Sequence, residues 1–209
     1  ADTYRENPFY PYFEDQIRPR IESHDDTHIG ISLCYLNQAL TSFALAGWIR
    51  DNFPDKKLVM GGGLISSWMN RPDYHQPFDS LIDICVRGEG ESRLVEILGR
   101  QSCGKRHFIP DYDFVERDSY LSPGLVLPFR ASIGCYWSKC RFCPEKAETR
   151  PYSSQRAAKV LEDLRAIEDR YRPDYVHFID NAVTPAFLRA MSRERFSFHW
   201  YGFVRFDKE

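Results

Sequence analysis

Short runs of apolar and β-branched residues alternate with helical patterns along the first half of the chain. Because these runs are continuous rather than alternating in polarity, they indicate a parallel sheet that is covered on both faces. Strands are predicted over 28–35, 57–60 and 83–87, and helices over 38–52, 64–70 and 91–99. Residues 1–27 are predicted to be irregular or partly helical. The sequence therefore predicts an α/β fold that begins with a partial Rossmann-like parallel sheet over 1–102.

The alternation breaks over 103–128, a proline-containing stretch with little periodicity that is predicted to be an interdomain linker. Further strands are predicted over 125–133, 175–180 and 196–205, and helices over 160–171, capped by Ser153 or Ser154, and over 185–194. A repeated βα pattern closes into an eight-stranded barrel in about 200–250 residues. We therefore expect 129–209 to be the start of an incomplete TIM-type barrel.

Three of the six cysteines lie close together, with the spacing C-x4-C-x2-C at Cys135, Cys140 and Cys143. Disulfide scaffolds are short, secreted and cysteine-dense, so this longer chain favours reduced thiols and a cytoplasmic location. Several thiolates on one loop can converge on an iron–sulfur cluster. Three ligands would leave one iron of a [4Fe–4S] cluster free to engage a small cofactor.

Two other interpretations of the same cysteines remain open. A structural zinc site needs four ligands, so Cys103 or His107 would have to supply the fourth. The three thiols could also be buried and inert. The position of the loop, directly after a predicted strand of a βα series, favours the cluster, because functional groups in βα barrels lie at the carboxyl ends of strands.

The cysteine motif, followed by a helix and with Phe142 before its last cysteine, resembles the radical S-adenosylmethionine superfamily. The family's commonest spacing is C-x3-C-x2-C, and the first gap here is one residue longer. The resemblance implies that the cysteines bind a [4Fe–4S] cluster whose fourth iron holds S-adenosylmethionine. Reductive cleavage of that cofactor would then give methionine and a 5′-deoxyadenosyl radical that abstracts hydrogen from a substrate.

The same resemblance implies roles for three residues outside the metal ligands. Phe142 would lie beside the adenine ring of S-adenosylmethionine. Asp180 and Asn181 stand where the family carries a polar motif that contacts the amino group of the cofactor. The other interpretation of Asp180-Asn181 is a turn at the end of a strand.

The first half resembles the cobalamin-binding domain that precedes many radical S-adenosylmethionine barrels. Three strand ends carry this likeness: Ser32-Leu33-Cys34, Gly61-Gly62-Gly63 and Gly88-Glu89-Gly90-Glu91. The resemblance implies that the small residues make room for the nucleotide tail of cobalamin, and that 1–102 lacks its opening strand. Such glycine turns are also common connections, and no Gly-Lys-Ser/Thr follows that would make a phosphate-binding P-loop. His28 is expected to be a strand-edge residue rather than a cobalt ligand.

Charge and hydropathy narrow the classes of partner. The formal net charge is −2 with both signs interspersed, which argues against nucleic acid, and no apolar run is long enough to cross a bilayer. The resemblance implies a small-molecule or peptide substrate and an electron donor such as a flavodoxin or a ferredoxin. The rival functions are a non-catalytic zinc module and a cobalamin-binding sensor or carrier.

Overall fold

The structure is a computed structural model that describes residues 3–101, 109–115, 120–143 and 151–206. The described residues form two compact units, one up to residue 101 and one from residue 109 onward. Each unit contains a parallel three-stranded sheet and helices, which confirms the predicted mixed α/β class.

The sheet of the first unit runs in the order β1-β2-β3, with β1 at His28–Ser32, β2 at Lys57–Gly61 and β3 at Ile84–Cys85. The register pairs His28 with Lys57 and Ser32 with Gly61, so the carboxyl ends of β1 and β2 are level. The α-helices of this unit are α1 (Tyr10–Tyr12), α2 (Arg18–Glu22), α3 (Ala39–Asn52), α4 (Gly63–Met69) and α5 (Glu91–Ile97). A π-helical turn, Phe13–Ile17, joins α1 to α2.

The N-terminal helical segment is held to α3 by hydrogen bonds from Trp48 to Glu14 and from Arg18 to Asn52. Arg18 Nε donates a hydrogen bond to Glu14 Oε2 at 2.7 Å, and the Trp48 indole N–H donates to Glu14 Oε1 at 2.8 Å. These bonds, that of Arg18 first, lower the pKa of Glu14 to about 2. Trp48 itself is fully buried among apolar side chains of β1, β2 and the helices, which together form the core of the first unit.

The second unit contains β4 (Val126–Phe129), β5 (Ser132–Ile133), β6 (Ser153–Ser154), α6 (Ala157–Tyr171), β7 (Tyr175–Val183), α7 (Pro185–Met191) and β8 (His199–Val204). Its parallel sheet has the order β4-β7-β8, which is also their order along the chain. Helix α6 precedes β7 and α7 precedes β8, so the unit is a β-α-β-α-β series. The short strands β5 and β6 pair antiparallel beside it.

Helix α6 covers the sheet because its apolar residues recur at helical spacing. Val160, Leu164 and Ile167 are buried in one cluster with Phe178 of β7 and Phe187 of α7. Of the helices that the structure describes, none combines the length and the hydropathy that crossing a bilayer requires.

The predicted cap of this helix is wrong. Ser153 and Ser154 form β6 instead, pairing with Ile133 and Ser132, and the residue before α6 is Arg156, which makes no side-chain cap. The strand partners of the two serines lie about twenty residues away along the chain. The local sequence therefore resembles the start of a capped helix.

Part of the segment that was predicted as a linker over 103–128 packs into the second unit. Tyr112 is buried in its core, its N–H donates to the Tyr171 hydroxyl at 3.0 Å, and its own hydroxyl donates to the Pro128 carbonyl. Burial, with the neighbouring Tyr171, raises the pKa of Tyr112 to about 12. Strand β4 then begins at Val126, inside the predicted linker.

Candidate metal and cofactor sites

The three clustered cysteines lie on a loop that leaves the carboxyl end of β4. We call residues 134–143 the cysteine loop and Ala131–Ile133 its root. The root is fixed by the antiparallel pairing of β5 with β6, and by a hydrogen bond from Gln155 N to Ala131 O at 3.2 Å. The loop is therefore closed at its base, at the edge of the sheet where parallel strands end.

Asp180 ties this root to the neighbouring strand. Its side chain is only 2% exposed, and its two carboxylate oxygens accept hydrogen bonds from Ala131 N at 3.0 Å and from the Ser132 hydroxyl at 2.5 Å. A small cavity of about 90 Å³ lies beside it, lined in part by Ser154 and Phe187. The sequence predicted that the strand ends at Asp180, with a turn at Asp180-Asn181 as the alternative, but β7 continues to Val183, so that alternative is wrong. Asp180 lies within β7, and its carboxylate engages the loop root.

The cysteine loop itself is made of turns. Gly134 and Ser138 have positive φ angles of 70° and 46°, a region that glycine adopts freely and serine rarely. Cys143 N approaches Cys140 O at 3.5 Å, which marks a turn between the last two cysteines. Cys135, Cys140 and Cys143 are free thiols and half-buried.

An aromatic side chain connects the cysteine loop to the last strand of the sheet. The guanidinium carbon of Arg205, directly after β8, lies 3.5 Å from the centroid of the Trp137 ring, and Lys139 Nζ lies 4.7 Å from it. Cations attract the face of an indole ring. The loop thus contacts the residue that follows β8 through Trp137, while its root contacts β7 through Asp180.

The predicted S-adenosylmethionine site has two further residues, Phe142 and Asn181, and neither takes part in the hydrogen bonds of Asp180. Phe142 is 89% exposed on the cysteine loop. Asn181 is exposed, while Asp180 is buried, because successive side chains of a strand point to opposite faces. Phe142 is therefore open to a planar ligand, and Asn181 does not share the loop root with Asp180.

The glycine turns of the first unit lie at the carboxyl edge of its sheet, as predicted. Gly62 has a φ of 106°, and a Cβ atom there would lie 2.4 Å from the Leu33 carbonyl oxygen. This close approach explains Gly62 by packing alone. Gly88 also has a positive φ, of 76°, but a Cβ there would meet nothing within 4 Å, so its surroundings are open.

The other residues of the predicted cobalamin site lie at the same edge, mostly in contact with solvent. Ser32 and Cys34 are exposed, with 3.5 Å between Ser32 Oγ and Cys34 Sγ. Gly61 ends β2, Gly63 begins α4, Gly90 precedes α5, and Glu89 and Glu91 are exposed. His28 is the first residue of β1, the edge strand, which confirms its predicted place.

No metal-binding group is preformed in the described part of the chain. Over 3–101, 109–115, 120–143 and 151–206, the structure places no three or more His, Cys, Asp or Glu side chains so that they could hold a metal ion. Cys103 and His107, the predicted fourth zinc ligands, lie outside the described residues. Three free thiols within one loop are the donor set of a thiolate-bound cluster, so the residues fit such a group in chemistry, and binding would require the turns of the loop to draw the sulfurs together.

Comparisons with known proteins give no match. No protein-family model matches the sequence, and neither a curated protein nor a solved structure matches it. The function of this chain is therefore inferred from its own sequence and structure.

Two buried polar side chains near these edges were missed from the sequence. Ser66 of α4 is fully buried, its hydroxyl donates to Gly62 O at 2.9 Å and it accepts from Gly88 N at 2.9 Å. Asp163 of α6 is also fully buried, with Lys159 Nζ 3.2 Å from its Oδ1. The signals in the sequence were a serine in the first helical turns after a glycine run and an acidic residue on the apolar face of α6.

Proposed function

We propose that this chain is part of a radical S-adenosylmethionine enzyme, with its cluster on Cys135, Cys140 and Cys143. The observation that supports it most is the position of the cysteine loop. The loop leaves the carboxyl end of the first strand of a β-α-β-α-β series whose sheet order follows the chain. Active sites of βα folds lie at this edge of the sheet.

Different residues at this edge would bind the cluster and the cofactor. The three cysteine thiolates would hold the cluster, and Phe142, which is exposed, is available to lie against the adenine ring. When bound, such a cluster would supply the electron for the cleavage of S-adenosylmethionine to methionine and a 5′-deoxyadenosyl radical. The protein's share is to orient these groups and to exclude competing reactions. An electron donor such as a flavodoxin, and a cytoplasmic location, belong to the same proposal.

The proposal includes a cobalamin dependence carried by the first unit. Its support is the open carboxyl edge of the first sheet, where Ser32 and Glu89 are exposed and a Cβ at Gly88 would meet nothing within 4 Å. Ligands of open α/β sheets bind outside the carboxyl ends of the strands. The chemistry would then be methyl transfer or a related functionalisation of a C–H bond.

Metal analysis after anaerobic reconstitution with iron and sulfide tests the cluster. We expect about four irons per chain, with matching acid-labile sulfide and broad visible absorption. Single alanine substitutions of Cys135, Cys140 and Cys143 should abolish this loading.

Cys34→Ala and Cys85→Ala are the matched controls, because both are free thiols outside the loop. Their iron content should equal that of the unaltered chain. One zinc and no iron in the unaltered chain would instead support the non-catalytic zinc module and remove the enzyme proposal.

Titration with cobalamin tests the first unit separately. We expect its visible spectrum to shift on binding, and Gly88→Trp, which fills the open space at the edge, to weaken the shift. An unchanged spectrum at saturating protein would discard the cobalamin arm and leave the cluster arm standing.

A further inference from the structure

A pair of aspartates fastens β4 to β7, one at each end of the two strands. At the amino end, Asp174 Oδ2 accepts a hydrogen bond from Leu125 N at 2.7 Å. At the carboxyl end, Asp180 accepts from Ala131 N at 3.0 Å and from the Ser132 hydroxyl. The two carboxylates make the same kind of bond at opposite ends of the same strands, but only Asp180 holds residues that lead into the cysteine loop.

Asp180 holds the chain to β7 beyond the point where the backbone pairing of β4 with β7 ends. The regular pairing of β4 with β7 ends at Phe129 and Phe178, and beyond Phe178 the register of β7 with β8, its other neighbour, is irregular. Ala131, two residues further, has its N–H bonded to the carboxylate instead of to a backbone carbonyl. Between the end of the β4–β7 pairing and the β5–β6 pairing, the Asp180 side chain therefore holds the chain to β7.

Because the Asp180 carboxylate is buried, both of its oxygens need hydrogen-bond partners within the protein. A buried carboxylate is costly unless its oxygens are satisfied, and bonds to a charged acceptor are the stronger ones. Here one oxygen takes a backbone N–H and the other a hydroxyl, both from the loop root. Any change in the direction of the root would leave one of these groups without its partner.

We propose that Asp180 is a positioning residue that sets the direction in which the cysteine loop leaves the sheet. The resemblance to the radical S-adenosylmethionine family suggests instead that Asp180 contacts the amino group of the cofactor, whereas its carboxylate is already engaged by Ala131 and Ser132. The consequence for iron loading rests on the proposed function, but the anchoring itself does not. Asp180 therefore acts through the loop, not on a substrate.

The test compares Asp180→Ala with Asp174→Ala in the metal-free chain. Amide hydrogen exchange of Ala131 and of the cysteine loop should become at least about tenfold faster in Asp180→Ala, because the buried bond to the charged acceptor is lost. Asp174→Ala should speed exchange near Leu125 and leave the loop unchanged. Equal protection of the loop in Asp180→Ala and in the unaltered chain would overturn the proposal, as would equal loss in both variants.

Asp180→Asn provides a conservative rescue. Its amide oxygen can accept from Ala131 N while its N–H₂ group donates to the Ser132 oxygen, so the protection of the loop should return. If Asp180→Ala fails to fold, Ser132→Ala carries the test, because it removes one of the two bonds and should give a smaller but selective increase. A Ser132→Ala loop that exchanges at the unaltered rate would then contradict the anchoring.

Iron loading is a second readout that separates this proposal from the proposed function. Asp180→Ala should take up several-fold less iron than Asp174→Ala at matched thermal stability. If the unaltered chain takes up no iron, the enzyme proposal falls, whereas selective exchange at the loop still supports the anchor. If Asp180→Ala loads fully and its loop stays protected, the anchor falls and the enzyme proposal stands.

Discussion

The carboxyl edges of the two sheets are built in different ways. At the first edge the backbone itself is closely packed, since the turn at Gly62 lies against Leu33 and the buried Ser66 joins the Gly62 and Gly88 turns. At the second edge, the root of the cysteine loop is held by the β5–β6 pairing and by the buried carboxylate of Asp180. The first edge is therefore specified by steric fit, and the second by directional hydrogen bonds.

The largest effect should come from filling the tight contact at the first edge. Gly62→Ala combines a positive φ with a Cβ that would lie 2.4 Å from the Leu33 carbonyl oxygen. We expect a loss of about 3 kcal/mol or more in the free energy of unfolding, measured by urea denaturation of the chain.

Gly88→Ala is the matched control, because it has a positive φ but open space around the added atom. Its cost should be about 1 kcal/mol, from backbone strain alone. If the two substitutions cost the same, close packing does not distinguish Gly62, and the contrast between the edges fails.

A smaller effect is expected from the serine that joins the two glycine turns. Ser66→Ala removes a hydroxyl that bonds both Gly62 O and Gly88 N, and it should cost about 2 kcal/mol because the buried groups lose their partner. Ser67→Ala, one residue along, removes only a bond back to Gly63 O within the same helix. It should change stability by about 0.5 kcal/mol or less. Similar costs for the two serines would show that Ser66 does not couple the turns.

The smallest effect concerns the helix that starts at the second edge. The Thr184 hydroxyl accepts from Phe187 N at 3.2 Å and caps α7, so Thr184→Ala should cost about 1 kcal/mol. Thr184→Ser keeps the cap and should retain stability. Iron content should be the same in both variants, because Thr184 does not bond the cysteine loop root. A loss of iron in Thr184→Ala would mean that the helix, and not Asp180 alone, sets the loop.

Most of the fold follows from local sequence, and most of the site geometry does not. The parallel strands were predictable because apolar runs such as 57–60 and 175–180 are short, continuous and separated by helical patterns. The position of the cysteines after a strand was predictable for the same reason. These features depend only on residues that are close together along the chain.

The misjudged features depend on residues that are distant along the chain. Ser153 and Ser154 read as a helix cap because their strand partners lie before the cysteine loop. The bonds of Asp180 to Ala131 and Ser132, nearly fifty residues earlier, could not be predicted from the local sequence either. The packing of Tyr112 into the second unit depends on Pro128 and Tyr171 in the same way.

The central claim is that three thiolates at the end of β4 hold a cluster with one iron open to S-adenosylmethionine. Electron paramagnetic resonance of the reduced, reconstituted chain tests it most directly, with spectra recorded before and after the cofactor is added. The account predicts a [4Fe–4S] signal that changes on addition of S-adenosylmethionine and is missing from Cys140→Ala. A signal unaffected by the cofactor, or the same signal in Cys140→Ala, would contradict it.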